Sequence, residues 1–187
     1  MTNSPIKTLT DEHEIIKSAA EIVKNADKLL AKDAAAYEKL IRKMIIFFRV
    51  FADQFHHHKE EEILFPEMAK KNEILEDGVI KEMLENHEDF RERISNIESS
   101  LDKKEYPQAQ QELIDYTEAL LDHIALEDDE VFQMADSLFT EDELEKMYFR
   151  FQDSDYEIGE QNKAEGKLNK TELAKQLSEM QGLLKAV

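Results

Sequence analysis

The sequence of 187 residues contains no cysteine, and it has only four glycines and three prolines. Without cysteine, the chain cannot form disulfides, thiolate metal sites, iron–sulfur clusters bound by cysteine, or a cysteine nucleophile. So few glycines leave little room for phosphate-binding or dinucleotide-binding loops. They also argue against a β-sandwich or β-barrel, and the abundance of Ala, Leu, Glu and Lys favours an all-α fold.

Positive charge and long apolar runs are also scarce. The 24 Lys and Arg face 43 Asp and Glu, which gives a formal net charge of -19. Nucleic acid is therefore not an expected partner, because phosphate contacts need clustered Lys and Arg. The longest apolar run, residues 44–51 (MIIFFRVF), is too short to span a bilayer. The first residues contain no apolar signal region, so we expect a cytoplasmic protein with no membrane association.

Apolar residues recur every three or four positions in four long segments, which predicts four amphipathic helices. The predicted breaks at residues 32–33, 69–78 and 102–107 are short. Short connections make neighbouring helices antiparallel, so we expect an all-α, up-down-up-down four-helix bundle in residues 1–136. Residues 137–187 are expected to form a C-terminal helical extension packed on the bundle or extending from it. A capping box, Thr140 with Glu143, predicts its first helix.

All six histidines fall within the four bundle segments, and His13, His87 and His123 each replace an apolar residue of an inward stripe. Residues equally far from a hairpin turn lie at the same height in two antiparallel helices. The midpoints of the pairs 13/57, 57/87 and 87/123 are residues 35, 72 and 105, at or near the predicted breaks. One histidine from each helix is therefore expected in the same layer, which core packing does not require.

Carboxylates accompany these histidines at helical spacing. Glu61 follows His57 by four residues and Glu127 follows His123 by four, so each pair shares a helix face. Buried carboxylates are costly unless they are paired or coordinated. Two carboxylates bridging two metal ions, with histidines in the outer positions, would remove that cost. Periodicity alone does not choose within residues 56–62 (HHHKEEE), where three consecutive His–Glu pairs have the same spacing.

The sequence resembles the hemerythrin-like (HHE cation-binding) family over roughly residues 8–136. The resemblance rests on the stretches DEH (11–13), HHHKEEEILFP (56–66), ENHEDF (85–90) and HIALEDDEVFQMA (123–135). It implies a non-haem centre of two iron ions (Fe2+/Fe3+) with an oxo or hydroxo bridge, and zinc or manganese as alternative metals, which an N/O ligand set also suits. The ligands that the resemblance implies are His13, His57, Glu61, His87, His123 and Glu127.

Two positions depart from the pattern of the oxygen carriers in this family. Arg91 stands where those proteins place a further histidine. His58 is the first candidate for the missing ligand and His56 the second; otherwise the position is open or filled by water. His56 is expected to lie behind the ligands or in solvent. The oxygen carriers use an aspartate five residues after the fourth-helix histidine, here Asp128, whereas many relatives use the carboxylate at plus four. We expect Glu127, with Asp128 as the alternative.

The resemblance implies a protein that binds a small diatomic ligand, O2 or NO, for sensing, storage or protection. We expect a metal- and ligand-binding protein rather than a dedicated enzyme. One alternative is a di-iron enzyme that removes peroxide or NO or repairs iron–sulfur clusters. Another is a metal-stabilised helical interaction module. The C-terminal helices are the expected surface for a homodimer or another partner.

Overall fold

The computed structural model describes residues 4–185, and it is all-helical, with no strand in that range. None of its helices in the described range is long and apolar enough to cross a membrane. Six helical runs follow one another along the described chain: α1 (Pro5–Leu30), α2 (residues 34–71), α3 (residues 73–102), α4 (residues 106–138), α5 (Glu141–Ala164) and α6 (Lys170–Lys185). The predicted break at residues 69–78 is thus mostly helical, since α3 begins with a 3-10 turn at Glu73–Leu75 and a π-turn at Glu76–Ile80.

The helix ends follow from local side-chain chemistry. The Ser4 hydroxyl accepts a hydrogen bond from the Lys7 amide, and the Asp33 carboxylate accepts from two amides of the first turn of α2. The predicted capping box of Thr140 with Glu143 is present at the start of α5. Connections at residues 31–33 and 103–105 are as short as the sequence predicts. Each of the first four helices is therefore followed closely by its neighbour.

The first four helices pack in a closed order. α1 contacts both α2 and α4, and α3 also contacts both α2 and α4. The predicted inward stripes are confirmed as core, since nearly all of their apolar residues are buried. Helices α5 and α6 pack against α1 and α2, and α6 contributes the buried side chains of Leu173, Leu177 and Met180. Residues 141–185 are thus part of the packed structure.

The apolar core consists of two clusters, one on each side of a polar layer. All four of the first helices contribute to the larger cluster, for example through Ile16, Phe55, Phe90 and Leu120. All four also contribute to the smaller cluster, for example through Leu9, Leu64, Met83 and Val131. On each of these four helices, the predicted histidine and glutamate ligands lie between the residue named from the larger cluster and the residue named from the smaller one. The polar layer is therefore closed off by apolar side chains at both ends.

Two adjacent isoleucines of α2 provide a matched test of this packing. Ile45 is 3% exposed and belongs to the larger cluster, whereas Ile46 is 47% exposed. We expect Ile45→Ala to lower the free energy of unfolding by about 2–5 kcal/mol, because it leaves a cavity. Ile46→Ala should lower it by less than about 1 kcal/mol. Urea denaturation at equal metal content measures both, and equal losses would contradict the packing described.

Candidate metal centre

The polar layer contains two groups of side chains whose donor atoms converge. Within each group the donor atoms lie within 4.8 Å of one another. The first group is His57, His87 and His123, and the second is His13, His56, Glu60 and Glu127. All seven side chains are buried, and together they come from α1, α2, α3 and α4.

The first group consists of three imidazoles. The rings of His57 and His87 stack with their centroids 3.9 Å apart, and the Nε2 atoms of His87 and His123 are 3.1 Å apart. Burial is the main reason that the pKa of both His57 and His87 is lowered to about 3. These two rings are therefore uncharged at neutral pH, which is the form of histidine that ligates a metal.

Two carboxylates connect the groups. Each presents one oxygen to the second-group histidines and the other oxygen to the first group. The relevant separations are Glu60 Oε1 to His56 Nε2, 3.4 Å; Glu60 Oε2 to His87 Nε2, 3.7 Å; Glu127 Oε2 to His13 Nε2, 3.3 Å; and Glu127 Oε1 to His123 Nε2, 3.2 Å. Carboxylates that reach two sets of nitrogen donors in this way suit a pair of metal ions.

The hydrogen bonding of this layer is incomplete without a cation. Among the described residues, no hydrogen bond reaches either carboxylate oxygen of Glu60 or Glu127, or the Nε2 atoms of His13 and His56. Burial, and then the nearby carboxylate of Glu127, raise the pKa of Glu60 well above its usual range. Two buried carboxylates without donors are costly, and metal ions would satisfy all of these atoms at once. The residues present therefore fit a metal centre.

A ring of outer carboxylates orients the histidines. The Nδ1 atoms of three histidines each lie 2.8 Å from a carboxylate oxygen: His13 from Asp128, His56 from Glu12, and His87 from Glu61. A histidine whose Nδ1–H donates to a carboxylate keeps the lone pair on Nε2, so that Nε2 is the atom available to a metal. In all three cases Nε2 faces the centre of the layer.

The structure brings together most of the residues singled out in the sequence. His13, His57, His87, His123 and Glu127 all belong to one of the two groups. Glu61 and Asp128 lie outside them, because their carboxylates bond to the far side of His87 and His13.

The α2 residues differ most from expectation. His58 is exposed, whereas His56 and Glu60 are buried members of the second group.

The helix geometry accounts for this difference on α2. Residues Phe48–His57 and Glu60–Leu64 wind as π-helix, and so do Glu127–Val131 on α4. A π-turn closes its hydrogen bonds over five residues and so inserts one residue into the helix. His56 consequently faces His13, with ring centroids 4.5 Å apart, while His57 faces His87. The spacing of His56 and Glu60 is visible in the sequence, but only the π-turns select it.

Arg91, which occupies the expected position of a further histidine, has a different role. Its Nη2 lies 2.7 Å from Glu61 and its Nε donates to Asp53 at 2.9 Å. Glu61 bonds to His87, and Asp53 lies 3.6 Å from the Nδ1 of His57. The guanidinium thus holds two carboxylates that stand behind two of the clustered histidines. The fifth histidine of the layer comes from α2 rather than from α3.

Comparison with known proteins agrees with this arrangement. The family model described as the hemerythrin HHE cation binding domain matches residues 4–135. The match includes all seven side chains of the two groups and ends before α5. Comparisons with the curated proteins and with the solved structures gave no significant match. Because the family model covers more than half of the chain, the protein belongs to the hemerythrin HHE cation-binding domain family.

Proposed function

We propose that this protein holds two iron ions in a centre of hemerythrin type and binds a small diatomic ligand, O2 or NO, for sensing, storage or protection. On this proposal it is a metal- and ligand-binding protein rather than a dedicated enzyme. The observation that carries the proposal is the pair of buried carboxylates, each with one oxygen toward each group of histidines and with no hydrogen-bond donor among the described residues. Membership of a cation-binding family supports it.

The proposed ligands follow the two groups. His13 and His56 hold one ion, His57, His87 and His123 hold the other, and Glu60 and Glu127 contribute to both. In this assignment Glu61 and Asp128 orient histidines instead of ligating. A set of nitrogen and oxygen donors without sulfur suits iron, and it would also accept manganese or zinc.

The two sides of the layer differ in the number of donors that the protein supplies. The side of His13 and His56 has one histidine fewer, so we expect a small ligand to bind there. Two ferrous ions held in the layer would supply the electrons for binding O2, and they would also bind NO. The Phe132 ring stacks on His13 with centroids 5.2 Å apart, and the apolar clusters keep bulk water from the layer.

The arrangement of the helices enters the proposal as well. We infer an up-down-up-down four-helix bundle from α1 to α4, on the support of their closed packing order and short connections. Residues 137–187 would then be a helical extension, of which 186 and 187 lie outside the described residues, as do residues 1–3 of the bundle. The cytoplasmic location and a homodimer or partner at the C-terminal helices stay predictions.

Iron content and ligand response test the function. Protein purified without oxygen from iron-supplemented cells should contain about two iron ions per chain. Its visible spectrum should change on addition of O2 or NO, whereas that of the chelated protein should not. Less than about one iron per chain would contradict the proposal. Turnover of peroxide or NO faster than by free iron would favour the enzyme, and stabilisation by metal without any ligand response would favour the interaction module.

Two histidines of α2 test the ligand assignment. His56 is buried in the second group, and His58, two residues later, is exposed. We expect His56→Ala to lose about one of two iron ions, because it removes a donor from the side that has fewer. His58→Ala should keep the wild-type iron content and ligand response. If instead His58→Ala lost iron and His56→Ala did not, the proposed ligand set would be wrong.

A substitution of Glu60 should separate stability from metal binding. In the metal-free protein the Glu60 carboxylate is buried without a donor, so Glu60→Gln should raise the midpoint of thermal unfolding by a few degrees. The same change should lower iron content, because one oxygen donor is lost. Glu62→Gln, at an exposed position on the same helix, is the matched control and should alter neither property. A lower midpoint for metal-free Glu60→Gln would contradict this account.

A further inference from the structure

A chain of charged side chains links the metal centre to the C-terminal helices. It begins at His56, whose Nδ1 donates to Glu12 Oε2 at 2.8 Å. The other oxygen of Glu12 accepts from the Lys59 ammonium at 2.9 Å and from the Lys170 ammonium. Both ammonium groups also bond to the carboxylate of Asp155, Lys59 at 2.8 Å. The chain thus joins α1 and α2 to Asp155 of α5 and Lys170 of α6.

These charges are removed from water to an unusual degree. The side chain of Lys59 is 0% exposed, and that of Lys170 is only 25% exposed. A buried lysine is rare unless its charge is paired and its hydrogen bonds are made. Lys59 meets this condition through Glu12, Asp155 and the Phe55 carbonyl, which accepts at 2.6 Å. With α5 and α6 docked, two positive groups, Lys59 and Lys170, face two negative groups, Glu12 and Asp155.

The outer carboxylate of His56 is supported differently from the others. Asp128, behind His13, is held by Lys17 of α1, and Glu61, behind His87, is held by Arg91 of α3. Both supports lie within residues 4–135, the range of the family match. Glu12 is held in addition by Lys170, which lies outside that range. Among these three histidines, only His56 therefore has an outer carboxylate that also bonds to the C-terminal segment.

We propose that Lys170 and Asp155 are positioning residues for His56, and that docking of the C-terminal helices is coupled to metal occupancy of the His13–His56 side. This inference rests on the proposed function, since it assumes that the layer holds metal. Coupling between two binding events is reciprocal. Metal on that side strengthens the docking of α6, and an undocked α6 weakens the hold on that metal.

A titration of the full chain with Fe2+ in the absence of oxygen tests the proposal. Lys170→Met removes one ammonium group of the chain, and Lys175→Met removes an exposed ammonium from the same helix as a control. We expect Lys170→Met to bind the second Fe2+ about ten-fold more weakly, as is usual for the loss of a group behind a ligand. Lys175→Met should bind both ions like the wild type.

Hydrogen–deuterium exchange supplies a second measurement that does not depend on ligand chemistry. Fe2+ should slow exchange of the α6 amides in the wild type and in Lys175→Met, and this protection should be lost in Lys170→Met. If Lys170→Met fails to fold by circular dichroism, Asp155→Asn, which keeps the shape of the side chain, should show the same two effects.

The outcomes separate this inference from the proposed function. A wild type that binds no Fe2+ would contradict the function itself. Two results with a wild type that binds two Fe2+ would overturn the coupling alone. One is a folded Lys170→Met that binds the second Fe2+ as tightly as the wild type. The other is a wild type whose α6 amides exchange at the same rate with and without Fe2+.

Discussion

The surrounding structure depends on how the charge of two carboxylates, buried in the middle of the core, is balanced. Glu60 and Glu127 lie in a layer that apolar clusters close on both sides, and no hydrogen bond reaches their oxygens from the described residues. Their immediate neighbours are imidazoles, of which His57 and His87 are uncharged at neutral pH because burial lowers their pKa. Without a cation, burial and the neighbouring carboxylate of Glu127 raise the pKa of Glu60 well above its usual range, so the layer resists holding both carboxylates in the charged form.

The protein pairs the outer carboxylates of the layer with its own cations. The three outer carboxylates that orient histidines each pair with a basic side chain: Asp128 with Lys17, Glu61 with Arg91, and Glu12 with Lys59. Among the carboxylates of this layer, only the inner pair, Glu60 and Glu127, receives no hydrogen bond from the described residues. This difference supports the inner pair, and not the outer ring, as the proposed place for metal ions.

The positions of the layer and of the core were accessible from the sequence because they follow regular spacings. The three-four spacing of apolar residues predicted which faces are buried, and short breaks placed His13, His57, His87 and His123 at one height. In the structure His57, His87 and His123 do converge, and His13 lies in the second group of the same layer. The spacing did not decide which His–Glu pair of α2 faces inward, for example His56 with Glu60 or His57 with Glu61. The family resemblance favoured Glu61, whereas Glu60 is the carboxylate that lies in the second group.

The sequence by itself thus determined the all-α fold, the buried faces, the layer of histidines and the membership of the family. The tertiary structure decided the inner carboxylate of α2, the inward turn of His56 and the exposure of His58. A π-turn forms where tertiary packing favours it, and each inserted residue rotates the side chains that follow, so helical periodicity cannot anticipate it. Ion pairs such as that of Glu12 with Lys170, 158 positions apart, leave no local pattern at all.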